Sequence, residues 1–161
     1  MTRRQIATAL AAALAIPGIL AGCSSAPSDS ALSRTLETAV MSEVPHAVGA
    51  VITLSYDGSP TRRIAKLKVY LDSVAPADVS AAVDSALRIG WTNFPVRPID
   101  IAVAIVDGPK LAGVRGVTRD GIDLEDAAAR LGIDPEFIGN RMVTLPARTL
   151  AERYGKWKKT S

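Results

Sequence analysis

The chain of 161 residues has the length of one ordinary domain with a tail, which excludes two full domains. Apolar residues make up 48% and charged residues 22%, a globular composition that excludes a largely disordered chain. Nineteen basic against sixteen acidic residues leave +3, too small a bias to imply nucleic acid, and one Cys with one His exclude an internal disulfide, a Cys-based cluster and a multi-His metal site. No metal or other cofactor is expected.

The first element is a leader. Arg3 and Arg4 precede an uncharged stretch from Ile6 to Leu20, rich in Ala, Leu and Ile, and Leu20-Ala21-Gly22-Cys23 closes it. A basic start, a short apolar run and small residues at its end describe a secretory signal peptide. The run is too short and too Ala-rich for a comfortable membrane-spanning helix. The closing tetrapeptide resembles the lipobox of bacterial lipoproteins. That resemblance implies a diacylglyceryl group on the Cys23 thiol and cleavage just before it, so that residues 1–22 are lost. Cys23 is the only thiol, so the mature chain would carry no free Cys. An ordinary signal peptide with an incidental Cys and an uncleaved anchor helix are the alternatives. Thr2-Arg3-Arg4-Gln5-Ile6 resembles a twin-arginine export signal in part, although the apolar position after Ile6 is only Ala7 and no Lys follows. Cleavage would remove Arg3 and Arg4, leaving seventeen basic and sixteen acidic residues and a net charge of +1.

Residues 24–33 are small and polar without apolar periodicity, which predicts a flexible tether. The expected organisation is therefore a cleaved signal peptide over 1–22, the lipidated Cys and tether over 23–35, and a single α+β domain over 36–161. Leu36 to Met41 reads as a short helix or a packed arm. From His46 to Tyr56 the residues alternate, with Val48, Ala50, Ile52 and Leu54 on one side, which predicts a strand. Asp57-Gly58-Ser59-Pro60 is a turn. Arg63 to Leu71 alternates again, Ala65, Leu67, Val69 and Leu71 against Lys66, Lys68 and Tyr70, so the pair reads as an antiparallel hairpin with one solvated face.

Pro76 opens a helix, where its missing N–H costs nothing. Val79, Val83, Leu87 and Trp91 form its apolar stripe, and Asp84 and Arg88 are spaced to pair on the other side. Pro95 and Pro98 end it. Ile99, Ile101, Val103 and Ile105 predict a third strand, parallel to the second if both share a sheet. Asp123 is placed to cap a helix reaching about Leu131, Asp134-Pro135 starts a short one, Met142 to Leu145 is a short strand, and Pro146 begins a last helix carrying Leu150, Tyr154 and Trp157 with Lys156, Lys158 and Lys159 at its end. The fold class is α+β: an antiparallel or mixed sheet of three or four strands, beginning strand–strand–helix–strand, with one main helix on one face and short C-terminal helices. The core is expected to gather Ile52, Leu54, Leu67, Val69, Val83, Leu87, Trp91, Ile101 and Val103.

Chemistry-bearing patterns are sparse. The one His, His46, stands at a strand start beside Pro45 and reads as a partly exposed strand-end residue. Gly113-Val114-Arg115-Gly116 has no phosphate-loop context. Asp120, Asp123, Glu125 and Asp126 form an acidic cluster that lacks the spacing of a calcium loop. No residue is assigned a catalytic, cofactor or metal role. Trp91 and Phe94 read as core, and Trp157, between Lys156 and Lys158, as a docked helix end or a residue touching a membrane surface or a partner.

The layout is similar to small actinobacterial envelope lipoproteins of unknown function, a resemblance of style that carries no activity. The expectation is a lipoprotein anchored at Cys23 on the extracytoplasmic face of the cell membrane, a non-enzymatic adaptor or accessory subunit with an envelope protein as partner and no nucleic acid. A carrier of lipid or a small apolar ligand is the alternative, followed by a carboxylate-dependent hydrolase.

Overall fold

The computed structural model describes residues 28–59, 61–113 and 120–159. The first helix, α1 (Asp29–Glu43), opens on Ser28, whose Oγ accepts the Ala31 N–H at 3.3 Å. Leu32, Leu36 and Val40 recur every fourth residue and are buried, with Val44 just beyond the helix end. The tether expected over 24–33, and with it the 23–35 segment, is therefore corrected: helix begins at Asp29, and only residues 24–28 separate it from Cys23. The polar residues between the buried leucines masked an i, i+4 stripe that already starts at Leu32.

Strands β1 (Ala47–Tyr56) and β2 (Arg63–Leu71) form the expected antiparallel hairpin, with Ile52 opposite Leu67 and Val51 opposite Lys68. Helix α2 (Pro76–Thr92) carries the chain to β3 (Asp100–Asp107), which pairs parallel to β2 with Leu67 beside Val103. A short α3 (Glu125–Arg130) and a 3-10 turn at Pro135–Phe137 precede β4 (Ile138–Gly139), β5 (Met142–Pro146) and α4 (Ala147–Tyr154). The sheet is mixed and five-stranded, in the order β1-β2-β3-β5-β4, which makes the fold α+β with one or two strands more than expected. The unforeseen β4–β5 hairpin turns through Asn140 and Arg141, both at positive φ (53° and 58°), the backbone of a two-residue hairpin loop that Asn tolerates well.

α1 and α2 pack on one face of the sheet. Leu67, Val69, Leu87, Ile101 and Val103 are fully buried there, with Ile52 and Trp91 nearly so; Leu54, at the outer strand, is only half-buried. Gly90 lets α2 lie hard against the strands: a Cβ there would come within 3.1 Å of the Ile101 side chain. α4 is strapped to α2 from the side. Arg153 Nη2 and Tyr154 Oη both reach Asp84 Oδ1, at 2.8 and 2.9 Å, and Arg153 Nη1 donates to Leu131 O at 2.8 Å. The expected Asp84–Arg88 pair does not form, because Asp84 is taken by α4 and Arg88 lies 3.6 Å from Glu43. Burial, then the neighbouring Asp84 charge, pushes the Tyr154 phenol well above its usual range, so it serves as a neutral donor.

Two further expectations shift. The helix after Asp123 spans only Glu125–Arg130, and Asp123 Oδ1 accepts the Glu125 N–H at 2.9 Å in a turn two residues long, with Leu124 at the cap position. The last helix ends at Tyr154, where Gly155 (φ 85°) turns the chain, so Lys156, Lys158 and Lys159 lie beyond the helix and do not complement its dipole.

Candidate functional site

Cys23, the lipid-attachment residue read from the sequence, lies outside the described residues, as does the stretch Val114-Arg115-Gly116. Among the described residues no helix is long and apolar enough to cross a membrane, and no three His, Cys, Asp or Glu side chains gather as metal ligands. The acidic cluster is pulled apart: Asp120 turns to Lys68, Asp123 to a backbone N–H, and Glu125 and Asp126 stand exposed in the first turn of α3. His46 sits at φ 60°, exposed, with Nδ1 3.1 Å from Asp72 Oδ1 and Nε2 3.8 Å from Asp78 Oδ1. The nearby Ser73 Oγ donates to Asp78, not to the imidazole, so the group is a surface ion cluster around the start of α2 with no activated nucleophile.

The second face of the sheet departs from the expectation of a solvated hairpin surface. Lys68 is fully buried and Tyr70 is 2% exposed. Lys68 Nζ donates to both oxygens of Asp120, at 2.5 and 2.7 Å, and stands 5.2 Å from the centre of the Tyr70 ring. Burial alone would pull the ammonium down, but the hydrogen-bonded Asp120 carboxylate and the neighbouring Tyr70 outweigh it, and the net shift is upward. A lysine held protonated in this way is a fixed cation and a poor nucleophile, which makes the pair a structural tie across the sheet. Local alternation carries no sign of it, because the partner lies 52 positions away in the chain. The edge of β1 is tied down similarly. Glu37 Oε1 accepts the outward Ile52 N–H at 3.3 Å and Lys110 Nζ donates to Ala50 O at 2.8 Å, blunting an edge that would otherwise pair with another chain.

The remaining concentration of chemistry is at the lower end of the sheet, where β1 finishes and β2 and β3 start. Hydrogen bonds stitch this end together: Ile99 N to Arg63 O at 2.9 Å and Ala147 N to Ile99 O at 2.7 Å. The C-terminal tail returns to it from α4. Trp91 Nε1 donates to Gly155 O at 2.9 Å and Trp157 Nε1 to Phe94 O at 3.0 Å. Trp157 is thus docked on the end of α2, half-buried, while Phe94 is fully buried as expected. Trp91, Arg97, Ala151, Lys156 and Trp157 line a groove of about 400 Å³. The N-terminus of α1 comes to the same end, since Asp29 accepts a hydrogen bond from Tyr56 Oη and lies 3.7 Å from Arg63.

No family model, curated protein or solved structure matches the chain.

Proposed function

We propose that the chain is an extracytoplasmic lipoprotein, anchored to the cell membrane through a diacylglyceryl group on Cys23 and working as a non-enzymatic adaptor or accessory subunit of a cell-envelope complex. The observation that carries this reading is Leu20-Ala21-Gly22-Cys23 at the end of an uncharged stretch behind Arg3 and Arg4. Two acyl chains hold a protein at a bilayer far more firmly than one, so such an anchor is long-lived. The packing of α2 on the sheet favours the adaptor over the carrier of a lipid or small apolar ligand. A carrier needs space between these layers, and at Gly90 they approach until an added methyl would crowd Ile101. A carboxylate-dependent hydrolase would draw on Asp120, Asp123, Glu125 and Asp126, of which Asp120 and Asp123 are committed to separate partners.

Crosslinking in intact membranes followed by pulldown tests the reading. One dominant protein partner is the expected result. Lipid recovered without a protein partner would replace the adaptor with the carrier.

A further inference from the structure

Arg97, Lys156, Lys158 and Lys159 are exposed, and none has an ion-pair partner among the described residues. Two other cations of the lower end are paired, Arg62 with Asp57 at 2.7 Å and Arg63 with Asp29 at 3.7 Å, and Asp100 at the start of β3 adds one carboxylate, so the four cations outweigh it and leave that end net positive. A chain without residues 1–22 carries +1; setting the four aside leaves the rest at −3. Lys156, Lys158 and Lys159 gather positive charge where the C-terminal tail folds over the end of α2, with Arg97 on the same groove.

The same end receives the start of α1. The six backbone steps from Cys23 to Asp29 can span at most about 20 Å, whereas a tether running to residue 33 would have reached about 30 Å or more. Asp29 is fixed to Tyr56 and Arg63 on the lower end, so whatever holds Cys23 holds that end nearby. Charges act over roughly 8–10 Å in physiological salt, which confines attraction to groups kept close to a surface.

We propose that the lower end is a docking surface for anionic phospholipid headgroups, with Arg97, Lys156, Lys158 and Lys159 contacting lipid phosphates beside the aromatic groove of Trp91 and Trp157. The inference rests on the Cys23 anchor for proximity and goes beyond it by fixing orientation. With the lower end on the bilayer, α2 stands with its C-terminus toward the membrane, and the start of α2, with His46, Asp72 and Asp78, points away from it. Each cation near an anionic surface strengthens contact by about fivefold, so the four together bias docking by several hundredfold.

The fully processed protein, reconstituted in vesicles, provides the test. Because lipidation occupies its only thiol, a fluorophore can be placed uniquely at Thr92→Cys or Ala77→Cys, exposed positions at opposite ends of α2, about 22 Å apart. Quenching by a headgroup-labelled lipid is measured in phosphatidylglycerol–phosphatidylcholine vesicles and in phosphatidylcholine alone. The expected result is several-fold stronger quenching at 92 than at 77 in the anionic vesicles. R97Q/K156Q/K158Q/K159Q should abolish that difference while the protein still floats with the vesicles. Equal quenching at the two positions, or a difference that survives the four Gln substitutions, would overturn the proposal. Flotation with phosphatidylcholine alone reports the anchor separately. Protein that fails to float there refutes the anchor, and its flotation with anionic vesicles, if lost in the Gln variant, still supports the charged surface.

Discussion

The helix-covered face of the sheet and its opposite face are held by different physics. On the first, Leu67, Val69, Ile101 and Val103 meet Leu87 and Val83 with no exposed area, and the stabilisation is apolar surface removed from water. On the second, a lysine is equally buried, and its charge meets the Asp120 carboxylate. The first face is redundant, since many contacts share the load. The second turns on a buried charge, and an ammonium whose carboxylate is removed bears more of its desolvation cost uncompensated.

Substitutions should separate the two. The largest effect is expected at Leu87, where Leu87→Ala removes a fully buried side chain and leaves a cavity, costing about 2–5 kcal/mol in urea-unfolding free energy. A loss below 1 kcal/mol would mean that α2 is not the main cover of the sheet. Leu32→Ala in α1 should cost about 2–4 kcal/mol for the same reason, since Leu32 is only 5% exposed. Scrambling residues 24–27, with the Ser28 cap kept, should leave the melting temperature unchanged. Equal behaviour of these two changes would return residues 29–33 to the tether.

Much of the helix-covered face was legible in the sequence. Ala65-x-Leu67-x-Val69-x-Leu71 states its period in seven residues, Pro76 and Pro95 bracket α2, and the parallel pairing of β2 and β3 follows from the helix between them. The opposite face was not legible, because local alternation cannot tell a solvated Lys68 from one whose stem is buried and whose charge meets Asp120 fifty-two positions on. The start of α1 was hidden by Ser and Asp residues that serve equally as linker and as helix cap. Trp157 with its flanking lysines stands out by type, but its place beside Phe94 and Arg97 depends on where Gly155 sends the chain.

Smaller effects belong to the second face. Asp120→Ala should cost about 1–2 kcal/mol, less than for a fully buried pair because the Asp120 side chain is half-exposed. Lys68→Met combined with Asp120→Ala should recover most of that loss, as an apolar side chain of similar length fills the site without a charge. A double variant no more stable than Asp120→Ala would show that the ammonium itself is not the source of the cost. The pair also has a pH signature. The folded state raises the Lys68 value, so its contribution is fully present below the unfolded lysine value of about 10.4 and is lost as pH rises through the higher folded value. Unfolding free energy should therefore contain an alkaline decline that is absent in Lys68→Met, measurable by denaturant titration in alkaline buffers.

Whether the domain is held at the membrane through Cys23 can be read from the intact mass of the protein extracted from membranes. The expected mass is that of a chain that begins at Cys23 and carries a diacylglyceryl group, and a Cys23→Ala chain should lack this modification and no longer be retained by a lipid anchor. A membrane-extracted chain that keeps residues 1–22 and an unmodified Cys23 would contradict it.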